Sequence, residues 1–186
     1  MKQPETRSEA GKTLFSLDSL VKSQEKYLKG MDITVNRSSG INSDHNQVTF
    51  RPDTSFWNKE LGIFSAADIG KPSLYGRYQV EKSDSSGLTV TNYKAIDPAI
   101  NGTTFMSVAR DSLNRIVRIM VVQQEKNPIF RRSRNMILNF RNAPSTGHNI
   151  ISGYNVEGFQ KMLLRKKTGY FVDVNLTWAH SDKQSR

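Results

Sequence analysis

The stretch "SVARDSLNRIVRIMVVQQ", residues 107–124, decides the fold. Wound as a helix with Phe105, it lines up Ala109, Leu113, Ile116, Val117 and Met120 on one side and makes a basic amphipathic rod. Laid out as strands, it is a hairpin that turns at "DSLNR". Val108, Ile119 and Val122 fall outside the helical stripe. Residues 116–122 hold five β-branched side chains: Ile116, Val117, Ile119, Val121 and Val122. Such side chains lose rotamer freedom in a helix and pack well on a pleated surface. Asp111 and Asn114 readily bond to nearby backbone, as turn residues do. The pattern favours the hairpin.

The flanking segments agree. "LYGRYQVEKS", "LTVTNYKAI", "TTFMSVARD", "NPIFRRSRNMILNFRN", "IISGYNVEGFQKMLL" and "YFVDVNLTW" read as strands, separated by "DSSG", "DPAING", "APSTGHN" and "RKKTG". In the last strand Tyr170, Val172, Val174, Leu176 and Trp178 alternate with Phe171, Asp173, Asn175 and Thr177. Ahead of Ser73 the signals differ. Leu14, Leu17, Leu20, Val21 and Leu28 recur at helical spacing, which gives a helix over residues 16–29 with Gly30 as a stop. Ile33 and Val35, then Val48 and Phe50, read as the arms of a hairpin with "SSGINSDHN" as its long turn. Asp53, Thr54 or Ser55 caps a short helix carrying Trp57, Leu61 and Phe64 on one side, closed by Gly70 and Pro72. The expected architecture is α+β: a curved antiparallel meander of about seven to nine strands covered by two N-terminal helices. Residues 13–180 form one domain, and 1–12 and 181–186 are expected to be disordered tails.

Charge is unevenly spread. The net charge is +10, and the residues from Arg110 onward carry 14 Lys and Arg against 5 Asp and Glu. Two clusters stand out: Arg131, Arg132 and Arg134, then Arg165, Lys166 and Lys167. They are the candidate binding residues for a polyanion, such as a glycan, a lipid headgroup or a nucleic acid. On a strand, Arg132 and Arg134 share a face with Met136, Leu138 and Phe140, so that face changes from basic to apolar along its length. Nucleic acid is the least favoured of the three. "KKTGYFVDV" puts Tyr170 and Phe171 on opposite faces, where RNA-binding strands need aromatics on one.

The chain has no cysteine, so disulfides and thiol chemistry are excluded. His45, His148 and His180 lack metal-ligand spacing, and no metal or other cofactor is expected. Asp68 and Asp97 are isolated carboxylates beside turns. No nucleophile elbow, phosphate loop or zinc-protease helix is present, and no catalytic residue is assigned. No apolar run reaches the length of a membrane helix.

"FSLDSLVKSQEKYL", "FWNKELGIFSAADIGKPSLYGRYQV", "NYKAIDP" and "ISGYNVEGFQKMLL" together resemble a group of small uncharacterised bacterial envelope lipoproteins. The resemblance spans Phe15 to Trp178 and brings no activity with it. It implies export to the periplasm or cell surface. It also implies a lipid-bearing cysteine ahead of the residues given, so membrane association is expected only through such an anchor. The first functional expectation is a non-catalytic envelope protein that binds an apolar or amphiphilic ligand, or a protein partner, on its curved sheet. The polyanion binder is the second, and a hydrolase or transferase with a dispersed site the third.

Overall fold

The hairpin reading of residues 107–124 holds. In a computed structural model, β5 (Gly102–Arg110) and β6 (Ile116–Lys126) pair antiparallel about the "DSLNR" turn. Asp111 closes that turn by accepting from the backbone N–H groups of Leu113 (3.0 Å) and Arg115 (2.9 Å). Asn114 lies in the left-handed region, with φ 60°. Residues 14–97, 99–100, 102–143 and 147–178 are described. The tails expected at 1–12 and 181–186, and His180, lie outside them.

Among the described residues the sheet has nine strands. The others are β1 (Ile33–Ile41), β2 (Asp44–Phe50), β3 (Tyr78–Ser85), β4 (Leu88–Ala95), β7 (Phe130–Ala143), β8 (His148–Met162) and β9 (Thr168–Trp178). Their order is β2-β1-β9-β8-β7-β6-β5-β4-β3, all antiparallel. Seven consecutive strands from β3 to β9 therefore lie side by side, as short turns dictate. The N-terminal hairpin joins them through β1 and β9. The curved sheet stays open, with β2 and β3 as its edges.

Two helices cover one face. Helix α1 (Leu17–Lys29) starts at Ser16, whose Oγ accepts from the Ser19 N–H at 3.2 Å. Asp68, buried in the segment after the second helix, adds a distant cap by accepting from the Leu17 N–H at 2.6 Å. Leu17, Val21 and Leu28 face inward from α1. So does Gln24, whose amide accepts from Ile151 N–H (2.9 Å) and donates to Asn149 C=O (3.2 Å) near the point where the β7–β8 ladder slips. A buried glutamine there satisfies backbone groups that the irregular ladder leaves over.

Helix α2 (Phe56–Ser65) is capped by Asp53, whose carboxylate takes the N–H groups of Ser55 and Phe56. The Ser55 hydroxyl and these N–H groups hold the Asp53 carboxyl below its usual range. Trp57, Leu61 and Phe64 are buried. They meet Val35, Met106, Val108, Ile119, Val121 and their neighbours in one continuous core. The opposite face of the sheet is bare and polar, laced by pairs such as Asn135–Glu157 and Asn155–Asp173.

Three sequence expectations are corrected. The β1–β2 connection is a two-residue turn at Asn42 and Ser43, not the long loop "SSGINSDHN". Residues 38–41 and 44–47 pair as strand, with Asn42 in the left-handed region at φ 53°. Helix α2 ends at Ser65 rather than at Gly70 and Pro72, because Ala67, Asp68 and Ile69 leave the helix to bury themselves under α1 and beside β5. Strand β8 stops at Met162, so Leu163 and Leu164 belong to the following turn.

Candidate functional site: the cationic rim of the sheet

Register brings the basic residues together. Lys126 on β6 sits directly opposite Arg131 on β7, and Arg131 directly opposite Lys161 on β8. Three cations thus form a row across neighbouring strands at one end of the sheet. Like charges in directly opposed positions repel one another across the ladder. The β6–β7 and β8–β9 turns lie just beyond it. They are tied to each other by Leu163 N–H, which donates to Ile129 C=O at 2.8 Å. The β8–β9 turn carries Arg165, Lys166 and Lys167, all exposed. Residues 126–131 and 161–167 hold these six cations and no Asp or Glu.

The six residues singled out in the sequence divide between two environments. Arg131, Arg165, Lys166 and Lys167 belong to the rim, where Lys167 lies 3.9 Å over the Phe159 ring. Arg132 and Arg134 point to the helix-covered face and are engaged there. Arg132 pairs with Glu125 at 2.6 Å, and the Arg134 Nε donates to the Tyr170 hydroxyl at 3.1 Å. The expected change along that face is present: Met136, Leu138 and Phe140 are buried while Arg132 and Arg134 are half-buried. Lys126 and Lys161 were not singled out in the sequence. Each stands at a strand end outside the two basic clusters, and only the pairing register puts them in line with Arg131.

The rim also carries apolar side chains. Leu164 is 98% exposed, Ile129 63%, Leu163 62% and Met162 47%. Leu164 has φ 61°, a left-handed backbone that a leucine adopts only at a cost. Ile41 and Ile96 are exposed further along the same edge. Six of the ten large hydrophobics exposed among the described residues therefore sit at this one end.

Next to the rim, the helix-covered face has a part that α2 does not reach. An open depression of about 510 Å³ at this end of β1, β2 and β9 is lined by residues of both faces, Arg37, Ile41, Asp44, Tyr170 and Val172 together with His45 and Phe171. Gly158 makes room for the Tyr170 ring: a Cβ at that position would collide with the Ser133 carbonyl oxygen and stand 2.9 Å from the Tyr170 hydroxyl. At the inner limit of the depression Glu60 accepts from the Tyr154 hydroxyl and pairs with Arg37 at 3.4 Å. Burial, reinforced by the Glu60 carboxylate, pushes the Tyr154 phenol far above its usual range. It stays a proton donor to Glu60 and does not act as a base near neutral pH.

His45 packs on Phe171 and His148 on Tyr27, each with ring centroids 5.4 Å apart. Asp97 turns the chain ahead of β5, accepting from the Ala99 N–H. Among the described residues no group of three or more His, Cys, Asp or Glu side chains is placed to hold a metal ion. No described helix is long and apolar enough to cross a membrane. No protein-family profile, curated protein or solved structure matches the chain.

Proposed function

We propose that this protein docks on polyanionic surfaces through the rim formed by the β6–β7 and β8–β9 turns. The observation that carries the reading is the opposed row Lys126, Arg131 and Lys161, continued by Arg165, Lys166 and Lys167 with no carboxylate in either segment. Cations directly opposed across strands repel one another. A phosphate- or sulfate-bearing partner repays the repulsion by neutralising them. An envelope protein, as the resemblance implies, meets such surfaces in lipid headgroups and acidic glycans.

Binding to inorganic polyphosphate and to heparin tests it. Six contacts lower the affinity on the order of a thousandfold between 50 and 200 mM salt. Replacing Arg165, Lys166 and Lys167 together by Ala lowers the slope of log affinity against log salt by about 2–3. Absence of binding at low salt, or salt-independent binding, overturns the reading.

A ligand on the helix-covered face is the second reading. It is favoured by the depression in which Ile41, Tyr170 and Val172 meet beside Arg37. Under it the contacts fall on β1 and β9 rather than on the turns.

A further inference from the structure

We infer that the anionic surface is a lipid bilayer, and that the rim is a membrane-entry device in which Leu163 and Leu164 pass below the headgroups. The inference rests on the polyanion reading and adds to it the role of the apolar side chains, which charge alone leaves without one.

Three observations converge. The first is exposure. A leucine that is 98% exposed on a left-handed backbone contributes no burial to the fold and strains the turn that holds it. Single exposed hydrophobics scattered over a surface are ordinary, but here they gather at one end. The second is arrangement. Leu163 and Leu164 sit in the turn itself, Ile129 is the neighbouring turn's apolar residue, and Arg165, Lys166 and Lys167 follow directly in sequence. Aliphatic tips with cations behind them match the layering of an anionic bilayer, where acyl chains lie beneath a plane of phosphates. Long Lys and Arg side chains reach that plane while the backbone sinks toward it. The third is the shape of the edge. From β1 to β4 it spans six strand spacings, roughly 29 Å measured along the sheet. Ile41 and Ile96 lie near its two ends with the leucines between them. Asp44 and Asp97 accompany those outer residues, so the attraction is centred on the β6–β7 and β8–β9 turns.

A protein partner fits the same residues less well. Protein interfaces concentrate their apolar contact in a packed central patch rich in aromatics, whereas this rim offers aliphatic groups at projecting turns. A fluid medium accommodates such projections without a matching pocket.

The test uses the whole chain and vesicles of two compositions, phosphatidylcholine alone and phosphatidylcholine with an equal amount of phosphatidylglycerol. Co-sedimentation is expected with the second and not with the first. Leu163→Ser with Leu164→Ser lowers partitioning onto the anionic vesicles by at least about tenfold. The same variant leaves polyphosphate affinity and the melting temperature unchanged, because neither leucine is part of the core. In a Leu164→Trp variant, the indole emission shifts to the blue on anionic vesicles and is quenched by lipids brominated on their acyl chains. Polyphosphate binding without vesicle binding overturns the bilayer inference and leaves the polyanion reading standing. Loss of both kinds of binding in wild-type protein removes both. Undiminished vesicle binding by the double serine variant, or an equal fall in polyphosphate affinity, overturns the insertion of the leucines.

Discussion

Trp57→Ala is expected to lower the unfolding free energy by about 3–5 kcal/mol. Trp57 is 1% exposed, on the side of α2 that faces the sheet, with its ring edge-on to Phe56 at a centroid distance of 5.1 Å. Truncation removes the largest buried side chain on the covering layer and leaves a void between a helix and a sheet. Neither can close it cheaply, because each is held by its own backbone bonds. Urea unfolding gives the answer as a lower midpoint with an unchanged slope. Leu164→Ala provides the contrast, since the side chain removed is nearly as apolar but touches solvent, and its effect stays within about 0.5 kcal/mol. A Trp57→Ala loss below about 1 kcal/mol contradicts the packing of α2 on the sheet.

Glu60→Ala is the second large effect, at about 2 kcal/mol. The carboxylate accepts from the Tyr154 hydroxyl and pairs with Arg37, whose side chain is 31% exposed while that of Glu60 is 17% exposed. Removal leaves a phenol and a guanidinium without their acceptor beside the helix. The partial exposure of Arg37 lets water take over part of the loss, so the figure is set below that of a fully buried pair. Tyr154→Phe costs about 1 kcal/mol, and the double variant costs less than the sum, since both single changes break one bond.

The same tyrosine shapes the alkaline limb of stability. Burial and Glu60 raise its folded pKa above the unfolded value of about 10. Its contribution is therefore fully present below pH ~10 and is lost as the pH rises beyond that, when the unfolded chain releases a proton that the folded chain keeps. Tyr78 and Tyr93, also raised by burial, act in the same direction. Tyr154→Phe flattens the fall in the urea midpoint above pH ~10. A fall as steep as in the wild type contradicts the assignment.

Much of the architecture is legible in the residues because one face of the sheet is buried. Where Val172, Val174 and Leu176 alternate with Asp173, Asn175 and Thr177, period two marks strand and face together. The signal fails where the fold offers no apolar face. Residues 38–41 and 44–47 pair beyond the reach of α2, so nothing selects alternating hydrophobics and the segment resembles a loop. Leu163 and Leu164 mislead in the opposite sense: apolar residues after a strand pattern suggest more strand, whereas the chain turns there. For the site, the clusters Arg131–Arg134 and Arg165–Lys167 are visible as charge. That Arg132 and Arg134 are occupied by Glu125 and Tyr170, while Lys126 and Lys161 flank Arg131, follows from register, which the sequence does not state.

Amide hydrogen exchange of the whole chain, with and without polyphosphate at low salt, tests the central claim most directly. Docking through the rim predicts added protection confined to the turns and strand ends around residues 126–131 and 161–167. Protection centred instead on β1 and the middle of β9, around Arg37, Ser39 and Val172, or no change at saturating polyphosphate, contradicts it.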